Sequence, residues 1–206
     1  MDITVNGNQI TGYGRTAANL EEVLVLLSRH AIPKDHLISS VMVNGKHYTE
    51  LYPGQSREIP VYKIQELNVN TVSLTHIAEA SLKDAPVFIR QIIEHCRVTA
   101  ECFRLYDETE ANQKYAELLE ALRSLMHFID NVRKALGWDF KTKEFQGKPL
   151  AEQWSKFMTL IDELKNVQEE GDWILLADVI EYEMIPLLED WATVFSENSA
   201  VRSASL

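Results

Sequence analysis

Residues 2–5 alternate, with Asp2 and Thr4 facing one way and Ile3 and Val5 the other. A period of two marks a half-buried strand. Asn6-Gly7 follows, a pair that favours a type I′ hairpin turn, and a return strand through Ile10 fits. Leu20, Val23, Leu24 and Leu27 then recur at helical spacing. Thr16 is placed to cap that helix, Glu21 and Glu22 sit in its first turn, and Pro33 stops it. Val41 and Val43 point one way on the next strand, and Asn44-Gly45 turns it back. Pro53-Gly54 marks another turn, and Leu67 and Val69 share a face of the last alternating run. The predicted order is strand, strand, helix, strand, strand, strand.

From Ser73 the period lengthens to about 3.6, that of an α-helix. Ser73 is the expected cap of a first helix reaching Lys83. Asp84-Ala85-Pro86 is expected to restart or kink the chain into a helix with Phe88, Ile92 and Ile93, ending about Tyr106. Tyr115, Leu118, Leu122, Leu125, Ile129, Val132 and Leu136 line one side of the clearest helix, and Gly137 ends it. Residues 138–148 read as a loop. Pro149 opens a further helix, with Leu150, Trp154, Phe157, Met158, Ile161 and Leu164 inward. Gly171-Asp172 breaks and recaps the chain. In GDWILLADVIEYEMIPLLEDW, Leu176, Ile180, Leu187 and Trp191 form one stripe. Pro186 lacks an N–H and clashes with the Tyr182 carbonyl, so a kink is expected there.

The first third resembles a β-grasp (ubiquitin-like) domain, most closely the small sulfur-carrier branch. The resemblance rests on the strand ending in Asn6-Gly7, the helix from Thr16 to His30, and the strand ending in Val43-Asn44-Gly45. It implies a mixed sheet with one helix on its face. Carriers of that branch react through a terminal Gly-Gly. Here the corresponding strand continues through Thr71, Val72, Ser73 and Leu74 into helix, and the last residues are Ala204-Ser205-Leu206. Carrier chemistry is therefore not expected, and a binding platform is. The expected fold class is α+β: a β-grasp-like domain over 1–72, then a mainly antiparallel helical bundle over 73–197 and a flexible tail over 198–206.

Charge separates the two parts. The formal net charge is −11. Residues 1–72 hold six basic and seven acidic side chains, whereas residues 73–206 hold fourteen and twenty-four. An acidic chain disfavours nucleic acid and anionic membranes as partners. The N-terminal MDITVNG has no basic or apolar leader pattern, and no apolar run is long enough to span a bilayer. Cys96 and Cys102 fall on different helix faces and form no CxxC pair. A cytoplasmic protein with reduced thiols is expected.

The motifs of several chemistries are missing. The residues three before the six histidines are Leu27, Pro33, Asn44, Ser73, Ile92 and Ser124, so the Glu-x-x-His pairs of di-iron bundles do not occur. HExxH and GxSxG are absent, and Gly12-Tyr13-Gly14-Arg15 lacks the remainder of a phosphate loop. Glu94-His95-Cys96 sets a thiol beside an imidazole, but neighbours on a helix diverge by about 100°. No catalytic residue, cofactor or metal is expected.

The leading expectation is a non-enzymatic adaptor or chaperone-like protein. Small bacterial secretion and flagellar export chaperones are similar in class, being acidic helical bundles. The kink at Pro186 would open a groove edged by Glu181, Tyr182 and Glu183, suited to a basic amphipathic helix, with Asp178 a further partner-binding candidate. The plainer reading makes these acids a solvated face, and metal binding by Asp178, Glu181 and Glu183 is a minor one. Trp138, Phe140 and Phe145 either fold back over the bundle end or form a partner-binding patch. The rival expectations are an enzyme or small-ligand pocket lined by Tyr13, Arg15, His76 and Arg90, and a homodimeric assembly module.

Overall fold

The computed structural model describes residues 1–13, 17–48, 55–105 and 108–203. It is an α+β protein of two units, Met1–Ile77 and Ala78–Leu206. The first contains β1 (Asp2–Val5), β2 (Asn8–Ile10), α1 (Leu20–His30), β3 (His36–Val43), β4 (Lys46–Tyr48) and β5 (Glu66–Ser73). The strand order is β2-β1-β5-β3-β4, with β5 parallel to β1 and antiparallel to β3. Register brings the inward residues level: Ile3 and Val43 flank Leu67, and Val5 and Val41 flank Val69. Leu20, Val23 and Leu27 of α1 complete that core. The period-two reading of these strands therefore holds residue by residue.

The cap of α1 differs from expectation. Asn19, one residue before the helix, takes the position. Its Oδ1 accepts from the Glu22 N–H at 3.0 Å, while Glu22 Oε2 accepts from the Ala18 N–H at 2.8 Å. Two otherwise orphaned donors are thereby satisfied. Thr16 and Pro53-Gly54 lie outside the described residues.

Both Asn-Gly pairs form type I′ turns, with Asn6 and Asn44 at φ near 50°. Each asparagine also grips the central strand. Asn6 Oδ1 accepts from the Thr71 N–H and its Nδ2 donates to Thr71 Oγ1, both at 2.8 Å. Asn44 Oδ1 accepts from the N–H groups of Gln65 and Glu66, and its Nδ2 donates to the Lys63 carbonyl at 2.8 Å. β5 is thus pinned near both ends.

Helix α2 (Leu74–Arg104) follows directly. Ser73 Oγ caps it through the His76 N–H, and the Leu74 N–H donates to the Asp35 carbonyl at 2.7 Å. That bond explains why the first helical turn groups with the sheet unit. The helix continues through Pro86, so of the expected restart or kink at residues 84–86 the restart does not occur. Proline forfeits one bond to Leu82, but Ala85, Pro86 and Ile89 are all buried and their packing outweighs it.

The bundle continues with α3 (Glu108–Ala135), α4 (Leu150–Glu170), α5 (Trp173–Asp178), a π-helical turn (Val179–Met184) and α6 (Ile185–Ser203). Successive long helices are antiparallel. His95 and Phe103 of α2 meet Glu117 and Tyr115 of α3. Tyr115 Oη donates to the Leu164 carbonyl of α4, and Gln153 of α4 donates to Asp190 of α6. The stripe Tyr115, Leu118, Leu122, Leu125, Ile129 and Val132 is buried as predicted. Gly137 closes α3: its N–H bonds Lys134 and that of Trp138 bonds Arg133, a Schellman ending.

At the bundle end the expected loop is corrected, and of the two readings of its aromatics the fold-back one holds. Residues 138–148 hold a small hairpin, β6 (Glu144–Phe145) with β7 (Lys148–Pro149), turned at Gln146-Gly147. Trp138, Phe140 and Phe145 are only 8%, 8% and 4% exposed, so they are not a partner-binding patch. Trp138 packs on Phe195, and Phe140 packs between Trp154 and Trp191. They seal the end of the bundle because burying large rings there removes more apolar surface from water than an open loop would. The flexible tail expected over 198–206 is helical through Ser203, with Asn198 Nδ2 donating back to the Val194 carbonyl.

Asn44→Ala is expected to lower the stability of the sheet unit by about 1–2 kcal/mol, since it removes three bonds to the segment Lys63–Glu66 leading into β5 and puts alanine, which tolerates positive φ less well than asparagine, at this turn. Urea unfolding followed by circular dichroism should show a lower midpoint with the slope unchanged.

Candidate functional site

The site forms where the last bundle helix meets the end of α2. Gly171 ends α4 at φ +72°, and Asp172 Oδ1 caps α5 by accepting from the Leu175 N–H at 3.0 Å. The expected disturbance at Pro186 takes the form of the π turn. The Ile185 N–H reaches five residues back to the Ile180 carbonyl. The next residue, Pro186, has no N–H to offer Tyr182. Widening the helix by one residue accommodates the ring without ending the helix. Leu176, Ile180, Met184, Leu187, Leu188 and Trp191 are buried along the core side. The Trp191 indole N–H finds no acceptor among the described residues, so ring packing anchors it.

Asp178 and Glu181 face α2. Arg104 Nη2 donates to Asp178 Oδ1 at 2.8 Å, and Arg104 Nη1 donates to Glu181 Oε2. The guanidinium lies 5.7 Å from the Tyr182 ring centroid. Hydrogen bonds first to Asp178 and then to Glu181 hold the Arg104 pKa above the ordinary arginine range. As the last residue of α2, Arg104 also opposes the negative end of the helix dipole. Phe103, its neighbour, stacks on Trp173 with centroids 5.4 Å apart. One end of α2 is therefore fastened to the last helix by a stack and a fork.

Beside the fork lies a shallow hollow of about 450 Å³, lined by Arg97, Glu101, Arg104, Leu105 and Glu181. Arg97 donates to Glu94 at 3.1 Å. Leu105 and Tyr182 stand out from the surface, 71% and 66% exposed.

The structure brings Asp178, Glu181 and Tyr182 together around Arg104. Glu183 is exposed, and of the four candidates only Glu181 lines the hollow. Asp178 and Glu181 converge on a guanidinium of the chain itself, and among the described residues no group of three or more His, Cys, Asp or Glu could hold a metal ion. Arg97, Glu101, Arg104 and Leu105 were missed by sequence reasoning. Their spacing of four, three and one puts them on one helix face, and that was the available signal. Of the rival pocket residues, Tyr13 packs on the sheet core, His76 and Arg90 are exposed, and Arg15 lies outside the described residues. His95 turns to Glu117 while Cys96 is fully buried. Burial pushes the Cys96 thiol up to about 12, against the opposing charge of Arg97 and a backbone hydrogen bond.

Residues 81–194, more than half of the chain, match the family described as Domain of unknown function (DUF8042), and the chain belongs to that family. Residues 2–72 match Domain of unknown function (DUF8043). The two matches part where β5 passes into α2. An uncharacterized protein of Treponema pallidum (strain Nichols) is similar along nearly the whole length: 23% identical over 201 residues, 92% of this chain and 94% of its own. No solved structure matches. Among the described residues, no helix is long and apolar enough to cross a membrane.

Arg104→Ala should speed amide exchange at Val179–Met184 about fivefold, equivalent to ~1 kcal/mol for a partly exposed fork, and leave Leu118–Leu125 unchanged. Hydrogen–deuterium exchange with mass spectrometry reads both segments. Cys96 should resist iodoacetamide at pH 8 in the native protein and react once urea unfolds it, as peptide mapping would show.

Proposed function

We propose that this protein is a non-enzymatic adaptor or chaperone-like protein that binds another protein through its helical unit. One observation carries the reading. Among the described residues of that unit, the exposed large apolar side chains are Val87, Val98, Leu105, Ile174, Leu175 and Tyr182. Val87 and Val98 lie on α2, Leu105 directly after its last residue, and the others on α5 or the π turn, with none on α3, α4 or α6. Apolar surface gathered on one side of a bundle supports a docking face, since scattered exposure would spread over every helix. The surrounding acidity supports a basic partner.

The sheet unit fits the same reading as a β-grasp platform. Its order β2-β1-β5-β3-β4, with β1 and β5 parallel and α1 between hairpins, supports that assignment. Edge strands β2 and β4 offer backbone groups to an added strand. A cytoplasmic setting is part of the reading, with Cys96 and Cys102 outside any disulfide.

The test is a pull-down from native lysate at low salt, read by mass spectrometry. The wild type and Glu183→Lys should capture the same dominant partner, and Leu105→Ser with Tyr182→Ser should lose it. All three should melt at the same temperature, because the altered side chains are exposed. Equal capture by the double variant would remove the α2–α5 face as the docking site.

A further inference from the structure

Asn6-Gly7 and Asn44-Gly45 carry a reactive pair as well as a turn geometry. Asparagine is a labile side chain, and most so before glycine. A glycine nitrogen, with no Cβ beside it, can attack the asparagine Cγ with little hindrance. All four residues are exposed, so water and solvent base reach them. Two features of the folded sheet unit hold the reaction back. Both asparagines lie at φ near 50°. A type I′ turn, the mirror image of type I, sets their ψ at about +30°, which points the glycine nitrogen away from the side chain. Each amide is also tied at both ends. Asn6 Oδ1 accepts from the Thr71 N–H while its Nδ2 donates to Thr71 Oγ1. Asn44 Oδ1 accepts from the Gln65 and Glu66 N–H groups while its Nδ2 donates to the Lys63 carbonyl. Swinging Cγ toward the backbone breaks all the bonds of that amide together. The Gln65 and Glu66 donors polarise the Asn44 amide, but polarisation drives nothing while the attacking nitrogen is out of reach.

We propose that Asn6 and Asn44 are deamidation sites gated by the fold, closed while their amides hold the sheet and open once the sheet unit opens. In the open chain the glycine nitrogen gives its proton to solvent base and bonds to Cγ. The Cγ–Nδ2 bond breaks, and the amide nitrogen takes up a proton and leaves as ammonia. One water then opens the five-membered imide at either carbonyl. Opening at Cγ leaves aspartate, and opening at the main-chain carbonyl leaves isoaspartate. The balance is asparagine plus water to the acid plus ammonia. Neither product rebuilds the turn at Asn44. Aspartate has no donor for the Lys63 carbonyl and sets a carboxylate against it. Isoaspartate routes the main chain through Cγ and so lengthens a two-residue turn that fixes hairpin register. At Asn6 either product loses the donor to Thr71 Oγ1. A transient opening of the sheet unit is thereby recorded covalently, and the modified unit opens more readily than before.

Peptide mapping by mass spectrometry reads each site after the full chain is held at mildly alkaline pH, in buffer and in guanidinium chloride. In denaturant both Asn-Gly pairs should deamidate, while Asn8 and Asn70, each followed by a larger residue, lag behind. In buffer both pairs should slow by about tenfold or more, because two or three bonds must break first. Thr71→Val removes the acceptor of Asn6 Nδ2 and keeps a β-branched residue in β5. It should speed Asn6 about fivefold in buffer and leave Asn44 unchanged. Chains deamidated in denaturant and then refolded should unfold at a lower urea midpoint than untreated chains. Equal rates in buffer and denaturant would overturn the gate. An Asn6 rate unmoved by Thr71→Val, or acceleration of both sites together, would overturn the side-chain tie. Recovery of the untreated midpoint by refolded, deamidated chains would overturn the lasting loss of the turn.

Discussion

Pro186 brings no N–H to the Tyr182 carbonyl, and the last bundle helix is organised around that missing donor. A straight α-helix would meet a steric clash and an orphaned acceptor there. The chain answers with a π turn over Val179–Met184, after which α6 resumes at Ile185. Val179, Ile180, Met184 and Ile185 are buried through the turn. The bundle core stays continuous through a point where the sequence would otherwise end a helix.

The same turn fixes what faces outward. Asp178 stands just before it, and Glu181 and Tyr182 stand within it. All three meet Arg104, whose two Nη groups take one carboxylate each. The fork is about one-third exposed, so its contribution to stability is modest. Its larger effect is positional. It fastens the end of α2 to the turn, beside the Phe103–Trp173 stack, and so shapes the hollow in which Glu101 and Leu105 stand.

The sheet unit uses a different device. Its two Asn-Gly turns set hairpin geometry through positive φ, and the same asparagine side chains hold β5. One residue type thereby supplies both a backbone conformation and cross-strand bonds. Parallel pairing of β1 with β5 joins segments more than sixty residues apart, so the pins near Thr71 and Gln65 fix a register that no local turn could set.

Ile3, Val5, Val41, Val43, Leu67 and Val69 announce their strands by alternation alone, and the stripe from Tyr115 to Val132 announces α3. Those readings succeed because side-chain period and turn preference follow from a few consecutive residues. Packing decided the rest. Pro86 lies inside a continuous α2 whereas Pro186 follows a π turn, and the residues next to each proline give no local rule that separates the two outcomes. Trp138, Phe140 and Phe145 have no period to read, and their burial depends on Trp154, Trp191 and Phe195 arriving from α4 and α6. Arg104 meets Asp178 and Glu181 across 74 and 77 residues. The acids were visible in the sequence, but the cation that gathers them was not, because an ion pair depends on distance in space and leaves no period along the chain.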